Sequence, residues 1–133
     1  MTAERGVLDT SVFIAAETAR VLDESRMPAE LATTVVTLAE LQVGVLAATS
    51  AEIRAQRLAT LDALADLAVI PVDAEAGRVW ARMRVHLAEA GRRVRVNDLW
   101  IAAIAAARGL PVVTQDDDFD PVAGVAGLSV IRV

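Results

Sequence analysis

Short apolar runs alternate along this chain with longer stretches in which apolar residues recur every three or four positions. The first run, residues 7–9, reads as a buried strand. From Ser11 the positions Val12, Ala15, Ala16, Ala19 and Leu22 have helical spacing, with Thr10 or Ser11 as the cap. Pro28 falls in the loop that follows. The β-branched run Ala32–Val36 predicts a second strand. Thr37 is then the expected cap of a helix over Leu38–Leu46, and Glu40 completes a T-x-x-E capping box. Ala51–Leu67 predicts a long amphipathic helix, and Val69–Val72 a short strand whose Pro71 suits a sheet edge. Asp73 caps a helix over Ala74–Glu89 that Gly91 ends, and Asn97 caps an apolar helix over Asp98–Ala107. Leu110–Val113 and Leu128–Val133 complete the strands. Strands alternating with helices predict an α/β domain with a central parallel sheet of four to five strands covered on both faces. No linker or internal repeat interrupts residues 1–133, so one domain is expected.

Composition narrows the chemistry. Hydrophobic residues make up 55 % of the 133, mostly small aliphatics, which leaves apolar surface over for a partner. There is no cysteine and one histidine, His86, so thiolate and imidazole-rich metal sites are excluded. A metal here would take oxygen ligands, which points to Mg²⁺ or Mn²⁺. All 13 basic residues are arginine, and the net charge of −5 argues against broad electrostatic binding of nucleic acid. It leaves open a nuclease whose acids are concentrated at a metal site. No apolar run approaches the roughly 20 residues needed to span a bilayer, and Met1–Arg5 lacks a signal-peptide core. The expectation is a cytoplasmic protein with no membrane association.

Four acids border the carboxyl ends of the predicted strands, where open α/β sheets place their ligands. Asp9 directly follows the first strand; it has the plainer role of helix cap, but Thr10 or Ser11 can fill that. Glu40 is accounted for by the capping box, although its surroundings are otherwise apolar. Asp98 opens a helix whose face Ile101, Ala102 and Ala105 should pack on the sheet, carrying it to the rim of the core. Asp116 comes soonest after the strand ending near Thr114, with Asp118 as a second candidate, while Asp117 and Asp120 read as solvated turn residues. Such a cluster repels itself unless a divalent cation holds it together.

LDTS after the first strand, TLAEL, ND-x-x-IAA and T-x-D-x-DF, in that order, resemble the PIN-domain ribonucleases, and most of all the VapC-type toxins of bacterial toxin–antitoxin pairs. The resemblance implies a PIN-like three-layer α/β/α fold and metal-dependent hydrolysis of RNA, leaving a 5′-phosphate and a 3′-hydroxyl. Asp9, Glu40, Asp98 and Asp116 would be the catalytic and metal-binding acids. Thr10, Ser11, Asn97, Thr114 and Asp118 would support them, and Arg92, Arg93 and Arg95 would meet substrate. It also implies a tRNA or ribosomal RNA substrate and a homodimer. A VapB-type antitoxin would seat its C-terminal segment between the early helices, forming a heterotetramer or larger assembly.

Two other enzyme classes that place an aspartate after strand one are disfavoured. A haloacid-dehalogenase-like phosphatase needs a second acid where this chain has Ser11. Both it and a phosphoacceptor receiver domain want a lysine, which the chain lacks. The remaining alternative is a weak or inactive PIN-like module that binds RNA or antitoxin without cutting. Trp80 and Trp100 read as packing residues, and His86 as a surface residue.

Overall fold

The computed structural model describes residues 3–133. Met1 and Thr2, part of the segment read for a signal-peptide core, lie outside the described residues. Five strands form one parallel sheet: β1 (Arg5–Leu8), β2 (Glu30–Thr34), β3 (Ala68–Ile70), β4 (Val112–Thr114) and β5 (Val130–Arg132). Their order is β3-β2-β1-β4-β5. The chain therefore moves outward from β1 to β3, then returns to add β4 on the other side of β1. That reversal puts the switch point between β1 and β4, where a ligand crevice is expected in an open sheet.

Five helices cover the sheet: α1 (Thr10–Ile14), α2 (Val35–Leu46), α3 (Ala51–Asp62), α4 (Ala74–Ala90) and α5 (Val96–Ala107). The two-residue period of the strands divides the core between the faces. Val7 and Val112 join the cluster built on α4 and α5, with Met83, Ile101 and Ile104 fully buried. Leu8 and Val113, their neighbours, join Val12, Phe13, Leu41 and Leu64 on the other face. The result is a three-layer α/β/α fold. Trp80 and Trp100 stack with ring centroids 5.1 Å apart, in keeping with the packing role expected for them, and His86 is exposed.

Glycine is required at one strand position. A Cβ on Gly6 would stand 2.7 Å from Pro28 Cγ and 2.8 Å from Val113 Cγ2, so β1 fits between its neighbours only without a side chain there.

Several expected boundaries are corrected. Strand β2 ends at Thr34, and Val35 and Val36 belong to α2. The cap is Thr34, whose hydroxyl accepts from the Thr37 N–H at 3.2 Å. Thr37 is inside the helix, and Glu40 lies in its second turn, so the capping box does not form. Likewise α5 begins at Val96 with Arg95 in the cap position, leaving Asn97 exposed in its first turn. The first helix was expected to reach Leu22; instead its turns close on Ala19, which has a left-handed φ of 55°. The Arg20 N–H bonds back to the Ala15 carbonyl at 2.9 Å, a Schellman-type stop with alanine where glycine is usual. Beyond Asp62, α3 tightens into three-residue turns up to Leu67. Strand β4 starts at Val112 because Pro111 has no N–H for the ladder. Asp73 and Gly91 bound α4 as expected, with the Asp73 carboxylate accepting from the Ala76 N–H at 2.9 Å and Gly91 at φ 65°.

The apolar surplus in the composition is visible outside. None of the α3 side chains is buried, and Val43 and Leu46 of α2 are 62 % and 74 % exposed. Among the described residues no helix is long and apolar enough to cross a membrane.

Candidate active site

At the carboxyl ends of β1 and β4 lies an open cleft of about 270 Å³. Asp9, Glu40, Asp98, Asp116 and Asp118 all line it, together with Thr10, Ser11 and Arg95. Four elements supply the acids, and each is delivered by local structure. Asp9 directly follows β1 at the cap position of α1, yet its carboxylate makes no capping bond. It is 4 % exposed and turns instead across the switch point. Ser11 Oγ donates to its Oδ1 at 2.7 Å, and Thr114 Oγ1, from the end of β4, donates to its Oδ2 at 3.1 Å. Both hydroxyls are themselves fixed by the next loop. The Gln115 N–H donates to Ser11 Oγ at 3.0 Å, and the Asp116 N–H to Thr114 Oγ1 at 3.1 Å. The loop that carries Asp116 thus also orients Asp9.

Glu40 reaches the cleft because Thr34 starts α2 one turn earlier than Thr37 would. Thr10 Oγ1 donates to Glu40 Oε1 at 2.8 Å. A hydroxyl has one proton, so the 3.1 Å contact between Thr10 and the buried Thr37 is a donation from Thr37. The relay runs Thr37 to Thr10 to Glu40, and Thr37 is a supporting residue that the sequence reading assigned to a cap.

Burial pushes the Asp9 carboxyl up to about 7; the Ser11 and Thr114 hydroxyls oppose this, and the charges of Asp98 and Asp116 add to it. Asp98 is pushed up to about 6, first by burial, then by Asp118 and Glu40, against the pull of Arg95. Both shifts express one condition: the cleft holds more negative charge than it can solvate. All of these donors are hard carboxylate oxygens, the set suited to Mg²⁺ or Mn²⁺. Among the described residues no three acids stand close enough to share one ion in this arrangement. A hydrated Mg²⁺ needs only one or two carboxylates and keeps its waters, so the residues fit such an ion.

The remaining expected residues divide. Arg95 lines the cleft, whereas Arg92 and Arg93 line an adjoining one that shares Arg95, Asp98 and Asp118 with it. Asn97 does not line the cleft. Asp117 pairs with Arg132 on the surface. Sequence reasoning missed Arg20, whose Nη1 is 3.2 Å from Asp116 Oδ1. It arrives through the left-handed turn at Ala19, which alanine does not announce. On another side of α1, Val12, Phe13 and Ala16 face Ala59 and Ala63 across an open apolar groove of about 410 Å³. Glu17 lies on its edge, with an Oε1 that has no hydrogen-bond partner among the described residues.

Residues 6–125 match the PIN domain. The chain is 65 % identical over 132 residues to Ribonuclease VapC5 of Mycobacterium tuberculosis, covering 99 % of this chain and 98 % of that one. It is 39 % identical to Ribonuclease VapC4 of the same organism, over 90 % of this chain and 92 % of the relative. Its structure superposes with a TM-score of 0.92, at 64 % identity, on a chain in the crystal structure of VapBC-5, a member of the VapBC family of toxin–antitoxin systems from M. tuberculosis. That alignment covers 98 % of this chain and 99 % of the other. Matched along most of its length and akin to these relatives over nearly all of it, the chain belongs to the PIN-domain family, in its VapC branch.

Proposed function

We propose that the chain is a Mg²⁺- or Mn²⁺-dependent endoribonuclease toxin, held inactive by a VapB-type antitoxin. One observation carries the reading: five carboxylates from four elements line one cleft, with Asp9 and Asp98 displaced to about 7 and 6. A cluster of this kind favours a divalent cation over protons. The names of the relatives, ribonucleases and a toxin–antitoxin pair, support it independently.

Asp9, Glu40, Asp98 and Asp116 would hold the ion. Bound there, a divalent cation supplies an activated water and neutralises charge on the scissile phosphate. The protein's own groups do the positioning. Ser11 and Thr114 fix both oxygens of Asp9, and Thr10 directs the Glu40 carboxylate that would orient the attacking water. Arg95, on the cleft wall, is placed to hold a phosphate oxygen. A structured RNA, tRNA or ribosomal RNA, is the proposed substrate. The groove between α1 and α3 would take the antitoxin's C-terminal segment, with Glu17 meeting a basic side chain. A homodimer, joined by antitoxin into a heterotetramer or larger assembly, is the proposed form.

The test is cleavage of total cellular RNA by the purified, antitoxin-free chain with Mg²⁺, with Mn²⁺ and with a chelator, beside Asp98→Asn. Discrete metal-dependent products that disappear in the variant are expected. If a folded, metal-binding wild type cuts nothing, the chain is a binding module instead.

A further inference from the structure

Beyond the acidic cleft, the surface continues into a basic one. A cleft of about 550 Å³ opens between α4 and the loop to α5, walled by Trp80, Leu87 and Leu99 and edged by Arg84, Arg92 and Arg93. No acidic residue lines it. Among the described residues none of these three arginines pairs with an acid, whereas Arg5, Arg20, Arg78, Arg108 and Arg132 all do. In a chain of net charge −5, three unpaired guanidinium groups around one apolar wall form a site for an anion with a flat, apolar part. Trp80 itself is only half-buried, so part of its indole surface is open to this cleft. The cleft is also continuous with the acids. Arg92 and Arg93 line the intermediate cleft as well, and that cleft shares Arg95, Asp98 and Asp118 with the acidic one.

We propose that the Trp80–Arg84 cleft is a subsite for a nucleotide of single-stranded RNA flanking the scissile bond. Its phosphates lie on Arg84, Arg92 and Arg93, and its base lies against Trp80. This rests on the RNA-cleaving role proposed above. Aromatic walls with arginine edges hold single strands without reading their sequence, which suits a site beside the chemistry rather than at it.

The molecule carries its own reporter. It has two tryptophans and no tyrosine, and Trp80, which lines this cleft, stacks on Trp100. The experiment is a titration of the full chain, in chelator so that nothing is cut, with a single-stranded oligoribonucleotide of about six residues. Intrinsic emission and oligonucleotide anisotropy are followed together. A saturable emission change is expected. Arg84→Ala and the charge reversal Arg84→Glu should each weaken binding about fivefold or more. Each lost contact also lowers the slope of log affinity against log salt by about 0.7. The proposal is overturned if anisotropy reports binding while emission stays still, or if both Arg84 variants match wild type. It is also overturned if emission changes with protein concentration alone, which would mean a second copy covers the cleft. Failure of metal-dependent cleavage with the emission change intact would sink the nuclease reading and leave this subsite standing.

Discussion

Thr10 and Glu40, thirty positions apart, meet with their side-chain oxygens 2.8 Å from each other at the edge of the acidic cleft. Because Thr10 follows β1 and Glu40 sits within α2, this bond ties the first strand's exit to a helix on its own side of the sheet. It sets the direction of a carboxylate that has no other hydrogen-bond donor among the described residues. Thr10→Val keeps the shape and removes the proton. A hydrogen bond to a charged group contributes about 1.5–3 kcal/mol, so RNA cleavage at saturating metal should fall by roughly one to two orders of magnitude. Thr10→Ser should hold near wild type. Equal rates for Thr10→Val and wild type would remove Thr10 from the site.

The Asp9 carboxyl makes stability and readiness oppose each other. Its folded value of about 7 lies above the ordinary 3.8, so the native state binds the proton more tightly than the unfolded chain does. The contribution of Asp9 to the stability of the metal-free protein is therefore greatest below about pH 4. That contribution is lost as pH rises through the interval to about 7, and stays at its lower level above it. The full cost is on the order of 4 kcal/mol. Asp9→Asn removes the charge and weakens two hydroxyl contacts worth about 1 kcal/mol each. In chelator at pH 8 the variant should melt several degrees higher than wild type while cutting no RNA. Added Mg²⁺ should raise the wild-type melting temperature and leave the variant's almost unchanged. A variant that melts lower than wild type at pH 8 would contradict the charge argument.

Arg20 holds Asp116 across an exposed pair at 3.2 Å. Such pairs contribute about 0.2–1 kcal/mol, and a cation already beside the cleft competes with a second one. Arg20→Ala should tighten Mn²⁺ binding by at most about fivefold at low ionic strength, with the difference shrinking as salt is added. Calorimetric titration reads this directly, and weaker binding in the variant would show that Arg20 supports the site rather than shields it.

Asp116 and Asp118 both line the cleft, but they act on different neighbours. Asp116 raises both Asp9 and Asp98, whereas Asp118 weighs on Asp98 and is not among the charges acting on Asp9. A group whose charge acts on both is the better candidate to share a cation with them. Asp116→Asn should cost about a hundredfold or more in cleavage, and Asp118→Asn less than tenfold, in line with loss of a ligand against loss of a bystander charge. The reverse order, measured on one RNA under one metal concentration, would make Asp118 the ligand.

The sheet, the helices and the convergence of the acids were legible because each rests on periodicity, and periodicity survives errors of a residue or two. What misled was local ambiguity. In the run Thr33-Thr34-Val35-Val36-Thr37, either Thr34 or Thr37 has the chemistry of a cap, and β-branched valines favour a strand. Parallel pairing settles it: Thr34 still aligns with Ile70 of β3, and nothing beyond it does. That three-residue difference moves Glu40 from a capping box to a cleft. Arg20 was hidden for another reason. Its position depends on an alanine in the left-handed region, a conformation this side chain disfavours and so does not advertise. Asn97 is the opposite case: it has the chemistry of a cap, but Arg95 takes that position and Asn97 does not line the cleft.

Gly6, three residues before Asp9, has no chemistry of its own, yet both oxygens of Asp9 depend on it. Any side chain there would press on Pro28 and Val113 and move β1 relative to β4, separating Asp9 from Thr114. A survey of mutants selected for loss of toxicity would therefore return this buried, inert position alongside the acids. The harmless mutants would form a map of strand alignment as much as of catalysis.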